Sequence, residues 1–344
     1  MKTGKSELNE IKFSIPFNGD ISLTSWAIKT GKVYEVYFAG AGDNDLSSPY
    51  QNLRKDSERK IIKLIELCCQ NKIKRNLLLN KAILYFDDLF KILKYIKTLE
   101  KYGGVNSITI SDPCIISFIR RAYPELKLQS SVFAGIDNVY RAKEAIKMGI
   151  QELCLDVTVN RNATELKKIA ALKKTWPSVS IKLLANHGCY LGCVYGVRHA
   201  EWPLFQDIKK EMHLAGKKYI LGNMINSKDC VYNPDRASDE IKRPFIRPED
   251  INFYEREKLA DYIKIVYRLD NSTTLKKKMI AYFEHSYDGN LFEITPSNKY
   301  GSSKYGCNNK NFPDDFIEKI TTCNMDCFSC NYCEVVSKKT IHII

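Results

Sequence analysis

Short runs of apolar and β-branched residues recur along the chain, and most of them are followed by a stretch with helical periodicity. Runs that are almost continuously apolar fit strands buried on both faces, whereas apolar residues spaced three and four apart indicate amphipathic helices. The strand pattern occurs at residues 12–16, 34–39, 76–79, 107–110, 128–132, 152–156, 180–185 and 262–266.

Helical patterns lie between these runs. They cover residues 57–69, 86–102, 114–122, 138–148, 163–174 and 274–287. In the fifth of them, Asn162 and Glu165 have the spacing of a helix-capping pair. Eight strands that alternate with helices predict an α/β protein with a (β/α)8 TIM-type barrel. The alternative is an open, doubly wound sheet, which the missing GxGxxG motif after the first strand disfavours.

The regular spacing is broken between strands 7 and 8, which roughly 75 residues separate. We therefore predict a barrel over residues 1–290 with a long insertion at 186–260, followed by a cysteine-rich C-terminal tail at 291–344. Within the tail, residues 296–311 are rich in Ser, Asn, Lys and Gly and predict a loop.

Composition changes this picture through the cysteines. The sequence has no run of about 18 apolar residues and no signal-peptide pattern, so we expect a cytoplasmic protein with no membrane partner. A reducing compartment disfavours disulfides, and the 12 cysteines therefore indicate metal or iron–sulfur chemistry. The net charge of +13 fits a lysine-rich surface, and an RNA partner is the alternative explanation.

The tail carries the densest cysteine cluster, CNMDCFSCNYC, with Cys323, Cys327, Cys330 and Cys333. Four thiolates at these spacings can bind one tetrahedral zinc ion or one iron–sulfur cluster. The interlaced short spacings favour [4Fe–4S], and zinc remains possible. The first three cysteines also match the triple of radical S-adenosylmethionine enzymes. That reading is disfavoured because the triple follows all predicted strands and a fourth cysteine fills the open position.

A second cysteine motif, ANHGCYLGCVYGVRH, directly follows strand 7 and contains Cys189 and Cys193. Barrels place their chemistry at the carboxyl ends of the strands, so these two thiols are candidate cluster ligands, with Cys230 as a third. The fourth ligand stays open between Cys307, a tail cysteine and a histidine. Other polar residues that end strands are candidates for acid–base chemistry or for binding an anionic substrate: Asp112, His187, Lys264 and Arg268.

Several of these segments resemble proteins of peptidase family U32. The stretch PFIRPEDINFYEREKLADYIKIVYR is similar to the closing part of those proteins, where a strand reads FKIEGR, so Lys264 and Arg268 match. VYEVYFAG resembles the family's ADAVYFGG, and the segment after ITISDP matches at Asp112, Pro113 and Ser131. LLANHGCYLGC corresponds to a segment where the family also has cysteines. The resemblance spans about residues 12–290.

The resemblance implies an enzyme with a [4Fe–4S] cluster bound by four cysteines. Relatives carry out oxygen-independent hydroxylation of an RNA base or a quinone precursor, some with prephenate as oxygen source. The predicted function is thus an iron–sulfur-dependent redox or modification enzyme, such as an anaerobic hydroxylase. Its substrate would be an unidentified small molecule or RNA, and an electron donor could take part. The compact CxxxC, the distant Cys230 and the four-cysteine tail depart from the family's longer pattern.

Two alternatives remain. One is a U32-type peptidase or other hydrolase, although the sequence contains neither HExxH nor GxSxG. The other is a non-catalytic RNA-binding protein whose tail holds a structural metal ion.

Overall fold

Eight parallel strands form a closed barrel in the computed structural model, which describes residues 10–44, 56–80, 86–191, 193, 237–295 and 305–344. The strands follow one another around the barrel in chain order, and the last pairs with the first at Ser14 and Lys264. They are β1 (Lys12–Pro16), β2 (Val33–Phe38), β3 (Lys74–Leu79), β4 (Ser107–Ile110), β5 (Lys127–Ser130), β6 (Glu152–Cys154), β7 (Ser180–Leu184) and β8 (Tyr262–Lys264). The predicted (β/α)8 barrel is confirmed.

Helices cover the outside of the barrel, and several of them begin at a capping side chain. Asn162 accepts a hydrogen bond from the Glu165 backbone, as the sequence pattern predicts, and Asp20 caps the first helix in the same way. The helices are α1 (Ile21–Lys29), α2 (Glu58–Gln70), α3 (Phe86–Glu100), α4 (Ile116–Ala122), α5 (Val139–Lys147), α6 (Ala163–Ala171), α7 (Ala237–Ile241), α8 (Ile251–Arg256) and α9 (Ser272–Phe283). Within the described residues, none is long and apolar enough to cross a membrane.

The tail packs onto the barrel and shares its hydrophobic core. It contains β9 (Tyr305–Cys307), α10 (Phe316–Thr321), α11 (Tyr332–Thr340) and β10 (Ile341–Ile343), and the two strands pair antiparallel. The Arg247 guanidinium lies 4.5 Å from the Phe312 ring centre and 4.9 Å from that of Phe316. Helix α11 packs against α7. The loop predicted over residues 296–311 is wrong at 305–307, because these residues pair with the end of the chain to form β9.

The barrel interior contains a network of buried polar side chains centred on Lys182, which is 0% exposed. Its Nζ lies 2.5 Å from Glu35 Oε1 and 2.9 Å from Gln129 Oε1, and it also forms an ion pair with Glu152. Gln129 donates in turn to the other oxygen of Glu35 at 2.8 Å. Strands β2, β5, β6 and β7 are therefore joined across the barrel by charge-assisted hydrogen bonds.

Burial and ion pairing act against each other in this network. Burial alone raises the pKa of Glu35, but attraction by Lys182 and its hydrogen bonds bring that pKa below the usual value. Burial lowers the pKa of Lys182, and the two carboxylates more than reverse this effect. For Glu152, burial dominates and raises the pKa. The Lys182 ammonium group thus offsets part of the free-energy cost of burying both carboxylates.

We predict that Lys182→Met lowers the free energy of unfolding by about 3–5 kcal/mol at pH 7, because it leaves buried carboxylates without a cation. The pKa of Glu35 then rises above about 4.3, the value expected in the unfolded chain, and the pKa of Glu152, already raised, rises further. A group with a raised folded pKa destabilises once it is ionised, so the deficit is largest at pH 7 and shrinks as the pH falls towards 4.

Urea unfolding of both proteins at pH 7 and pH 4.5 measures this difference. Lys147→Met is the matched control, since it removes an exposed lysine paired with Glu144, and we expect a change of at most about 0.5 kcal/mol. A deficit for Lys182→Met that is independent of pH would show that the carboxylates are not its cause.

Candidate metal and active site at the carboxyl mouth of the barrel

The loop that follows β7 is tied to its surroundings by three hydrogen bonds. The backbone N–H of Val266 donates to Asn186 Oδ1 at 2.8 Å, and that of Gly188 donates to the Tyr267 hydroxyl at 2.7 Å. The Tyr190 hydroxyl donates to Glu240 Oε1 at 2.7 Å. The loop is therefore held between the end of β8 and helix α7. It carries Cys189 and Cys193, both half-buried, at the carboxyl end of the barrel.

His187 lies beside the first of these cysteines. Its Nδ1 accepts the backbone N–H of Cys189 at 3.2 Å, which places the proton of the neutral ring on Nε2. Burial lowers the pKa of His187 to about 4; nearby Arg243 adds to the effect, and Asp156 opposes it. The imidazole is thus neutral at pH 7. It can offer an N–H to a group bound at the mouth, but it carries no charge to attract one.

A buried ion pair organises the segment that closes this region. Arg243 Nε lies 2.8 Å from Glu240 Oε2, and both side chains are 0% exposed. Arg243 also donates to the Thr295 carbonyl at 3.0 Å, which connects this segment to the start of the tail. Because Tyr190 donates to the same Glu240 carboxylate, the ion pair supports the Cys189 loop as well.

Arg161, just after β6, connects the same segment to the tail cysteines. Its Nε donates to the Arg243 carbonyl at 3.1 Å, and its terminal nitrogen donates to that of Ile241. Burial raises the pKa of Cys333, the last cysteine of the tail, and attraction by the nearby Arg161 guanidinium opposes this rise. Both cysteine groups of the sequence therefore approach the 237–247 segment, one through Tyr190 and the other through the tail helix α11.

The predicted metal ligands that the structure describes fall into two sets. Cys189 and Cys193 share the mouth loop. In the tail, Cys323, Cys327 and Cys330 are exposed and Cys333 is half-buried. Cys230 lies outside the described residues. In the part of the chain that is described, no three Cys, His, Asp or Glu side chains are gathered around a common point at ligand spacing. The thiols are available, and a bound metal would require their loops to close.

The predicted acid–base and anion-binding residues lie in different environments. Lys264 is 8% exposed and points into the barrel, with its Nζ 4.1 Å from the Tyr37 ring centre. Burial lowers its pKa. Arg268 is half-buried and near enough to Tyr37 to influence its pKa. Asp112 accepts the backbone N–H of Cys114 at 2.8 Å and so caps a turn after β4. These roles in catalysis stay predictions.

Sequence reasoning did not single out the residues that hold the mouth together. Glu240, Arg243 and Tyr267 lie in or near the irregular insertion, where no periodicity marks a buried position. Glu35 and Lys182 do leave a signal, since each is a charged residue at an inward position of an otherwise apolar strand. A charge in such a place requires a buried partner of opposite charge, so the sequence could have predicted that Glu35 and Lys182 form a pair.

Fold and site together define a (β/α)8 barrel protein with thiol and imidazole groups at its carboxyl mouth. Residues 29–185 match the model of peptidase family U32. An uncharacterized protease of Methanocaldococcus jannaschii is 27% identical over 267 residues, which are 76% of this chain and 72% of that protein. The solved structure of a U32 peptidase has a TM-score of 0.49 and 15% identity, and covers 77% of this chain and 94% of its own. The resemblance to peptidase family U32 is therefore confirmed over residues 29–185.

We predict that Tyr190→Phe loosens the mouth loop, because it removes a hydrogen bond to a buried carboxylate. The expected loss is about 1.5–3 kcal/mol in the free energy of unfolding, the range for hydrogen bonds to charged groups. Cys189 and Cys193 should react several-fold faster with iodoacetamide, as measured by mass spectrometry of their peptides. Tyr140→Phe, at a position 79% exposed, is the control and should change neither quantity. Unchanged alkylation at both cysteines would contradict the proposed link.

Proposed function

We propose that this protein is an iron–sulfur-dependent redox or modification enzyme whose reaction takes place at the carboxyl mouth of the barrel. The observation that carries the proposal is the position of Cys189 and Cys193, two half-buried thiols on a loop fixed at the end of β7. Barrel enzymes build their active sites from this end of the strands. The similarity to peptidase family U32 supports an enzyme, since the matching relative is described as a protease.

The donor set fits an iron–sulfur cluster. Thiolates are the ligands that such clusters use, and neither thiol of this loop belongs to the apolar core. Cys189, Cys193 and Cys230 would hold the cluster, and either the tail or His187 would complete the set. When bound, the cluster would supply one-electron chemistry. Its potential would depend on the hydrogen bonds and charges around the sulfurs.

The chain's own side chains would then bind and orient the substrate. Arg268 lies after β8, and Lys264 adds positive charge from inside the barrel, so the mouth favours an anionic substrate. Neutral His187, with its proton on Nε2, would donate a hydrogen bond to a substrate oxygen. An oxygen-independent hydroxylation of a small molecule or of an RNA base is a reaction of this type.

A hydrolase is the second candidate, and the names of the relatives favour it. The described mouth offers His187 and Cys189 as neighbouring groups, but Nδ1 of the imidazole is already an acceptor for the Cys189 backbone N–H. It is therefore not directed at the thiol as a general base. Hydrolysis of a peptide library by metal-free protein, lost in Cys189→Ser, would establish this activity instead.

We expect protein purified without oxygen to contain iron and acid-labile sulfide, and Cys189→Ala/Cys193→Ala to lose at least half of the iron. Two of the ligands would be missing, and a cluster does not survive that loss. Metal and sulfide analysis together with EPR after dithionite reduction measures both. If the loss is about half, the tail binds a second cluster; if it is complete, the two cysteine groups share one.

Cys69→Ala/Cys114→Ala is the matched control, because it also removes two thiols but leaves both candidate sites intact. Its iron content should equal that of the wild type. Preparations that contain one zinc ion per chain and no iron would reject the redox function and leave a structural or hydrolytic metal site.

A further inference from the structure

We propose that a pocket at the amino end of the barrel binds a small zwitterion, with its ammonium group on Glu152 and its carboxylate towards Lys74 and Lys127. The pocket lies where strands β2 to β6 begin and has a volume of about 210 Å³. A single water molecule needs only about 10–15 Å³ of such space, so there is room for a small organic molecule. The pocket lies opposite the carboxyl mouth. The proposal goes beyond the function proposed above and does not require it.

The floor of the pocket contains a carboxylate with few partners. Glu152 lines the pocket, but its side chain is only 3% exposed. Within the described residues it forms an ion pair with Lys182 and accepts no hydrogen bond from any other group. A carboxylate has two oxygens that can together accept several hydrogen bonds, and a buried one that lacks them is costly. Glu152 therefore has unused capacity for a donor that enters the pocket.

The network behind this carboxylate has one negative charge in excess. Glu35 and Glu152 share the single ammonium group of Lys182, which also contacts Gln129. An ammonium group has three donors, so these three partners use all of them. Burial accordingly keeps the pKa of Glu152 above its usual value despite the attraction of Lys182. A second cation can approach Glu152 from the pocket, and a bound ammonium group would balance the charge of the network.

Ser107, which also lines the pocket, has a hydroxyl hydrogen to donate. Its Oγ accepts hydrogen bonds from Asn76 Nδ2 and Gln129 Nε2, both at 2.8 Å. Its own hydrogen has no acceptor among the described residues, although the side chain is only 3% exposed. A buried donor of this kind needs an acceptor, and an oxygen of a bound carboxylate would supply one.

The rim of the pocket carries the opposite charge from its floor. Lys74 and Lys127 begin β3 and β5, and both are exposed. Exposed Glu125 lines the same pocket, and two lysines with one glutamate leave a net charge of +1. Lys127 pairs in register with Ser107, and its attraction opposes the rise in the pKa of Glu152, so rim and floor are within reach of one small molecule. An acidic floor and a basic rim match an ammonium and a carboxylate carried by the same ligand.

Isothermal titration calorimetry of the full-length protein tests this site. The probes are glycine, β-alanine, 4-aminobutyrate and 6-aminohexanoate, which differ in the distance between their two charges. We expect one of them to bind best, at one molecule per chain. Butylamine and butyrate each carry only one of the two charges, and should bind at least about ten-fold more weakly than the best zwitterion.

Glu152→Gln should weaken binding of the best zwitterion by about 10–100-fold, because it removes a charge-assisted hydrogen bond. The variant leaves Lys182 paired with Glu35, so we expect the barrel to stay folded, as urea unfolding can check. Glu144→Gln is the matched control, since it removes the charge of an exposed glutamate far from the pocket lining, and its affinity should equal that of the wild type.

Lys74→Met/Lys127→Met tests the rim in the same titration. Without the two lysines, the affinity of the best zwitterion should fall close to that of butylamine, because removing the rim charges has the same effect as removing the carboxylate of the ligand. Two exposed lysines contribute little to stability, so the folded state should be unaffected.

Three outcomes would overturn the proposal. They are the absence of binding by every zwitterion of the series, binding of butylamine or butyrate as tight as that of the best zwitterion, and equal affinity in Glu152→Gln and Glu144→Gln. Cys189→Ala/Cys193→Ala should bind the zwitterion like the wild type, so each outcome is independent of whether the mouth binds iron.

Discussion

The ion pairs of Lys182 are the interaction on which the barrel depends. A (β/α)8 barrel of this size is usually filled by layers of branched apolar side chains. Here part of the interior is filled by Glu35, Gln129, Glu152 and Lys182, which come from four different strands. Such a network fixes the register of the strands, because a shift of one residue would turn a charged group outward and leave its partner buried alone. The network therefore specifies the geometry of the barrel. The free-energy cost of desolvating its charged groups is offset only when all the partners are present.

The mouth repeats this principle with arginines. Arg243 pairs with Glu240 in complete burial, and the backbone of the same segment accepts the hydrogen bonds of Arg161. Tyr190 donates a hydrogen bond to the Glu240 carboxylate and so attaches the loop after β7 to this ion pair. Cations that are buried and geometrically restrained are poor ligands for a mobile substrate, but they are good supports for the loops around one. The positions of the thiols therefore follow from polar contacts, since short irregular segments have few apolar residues with which to pack.

The sequence was sufficient for the barrel and insufficient for the site. All eight strands lie within two residues of their predicted bounds, because a buried parallel strand is an apolar run whatever its partner. Helix α1 and the tail elements were not predicted. The tail strands pair β9 with β10 across more than thirty residues, and no local pattern records such a contact. Cys189 could be placed at the mouth from its position after β7, whereas the approach of Cys333 to Arg161 depends on how the tail folds back.

The division of the chain between scaffold and chemistry has a consequence for any assignment by family. The matched region, residues 29–185, runs from just before β2 to the end of β7 and stops one residue before the loop that carries His187 and Cys189. What the chain shares with the family model is therefore the framework that presents the site. The mouth thiols, the tail thiols and the Glu240–Arg243 ion pair follow in residues 186–344, whereas Arg161 belongs to the matched region. A barrel constrains where a reaction can occur but not which reaction occurs there. The activity must consequently be decided by the groups that these later residues hold.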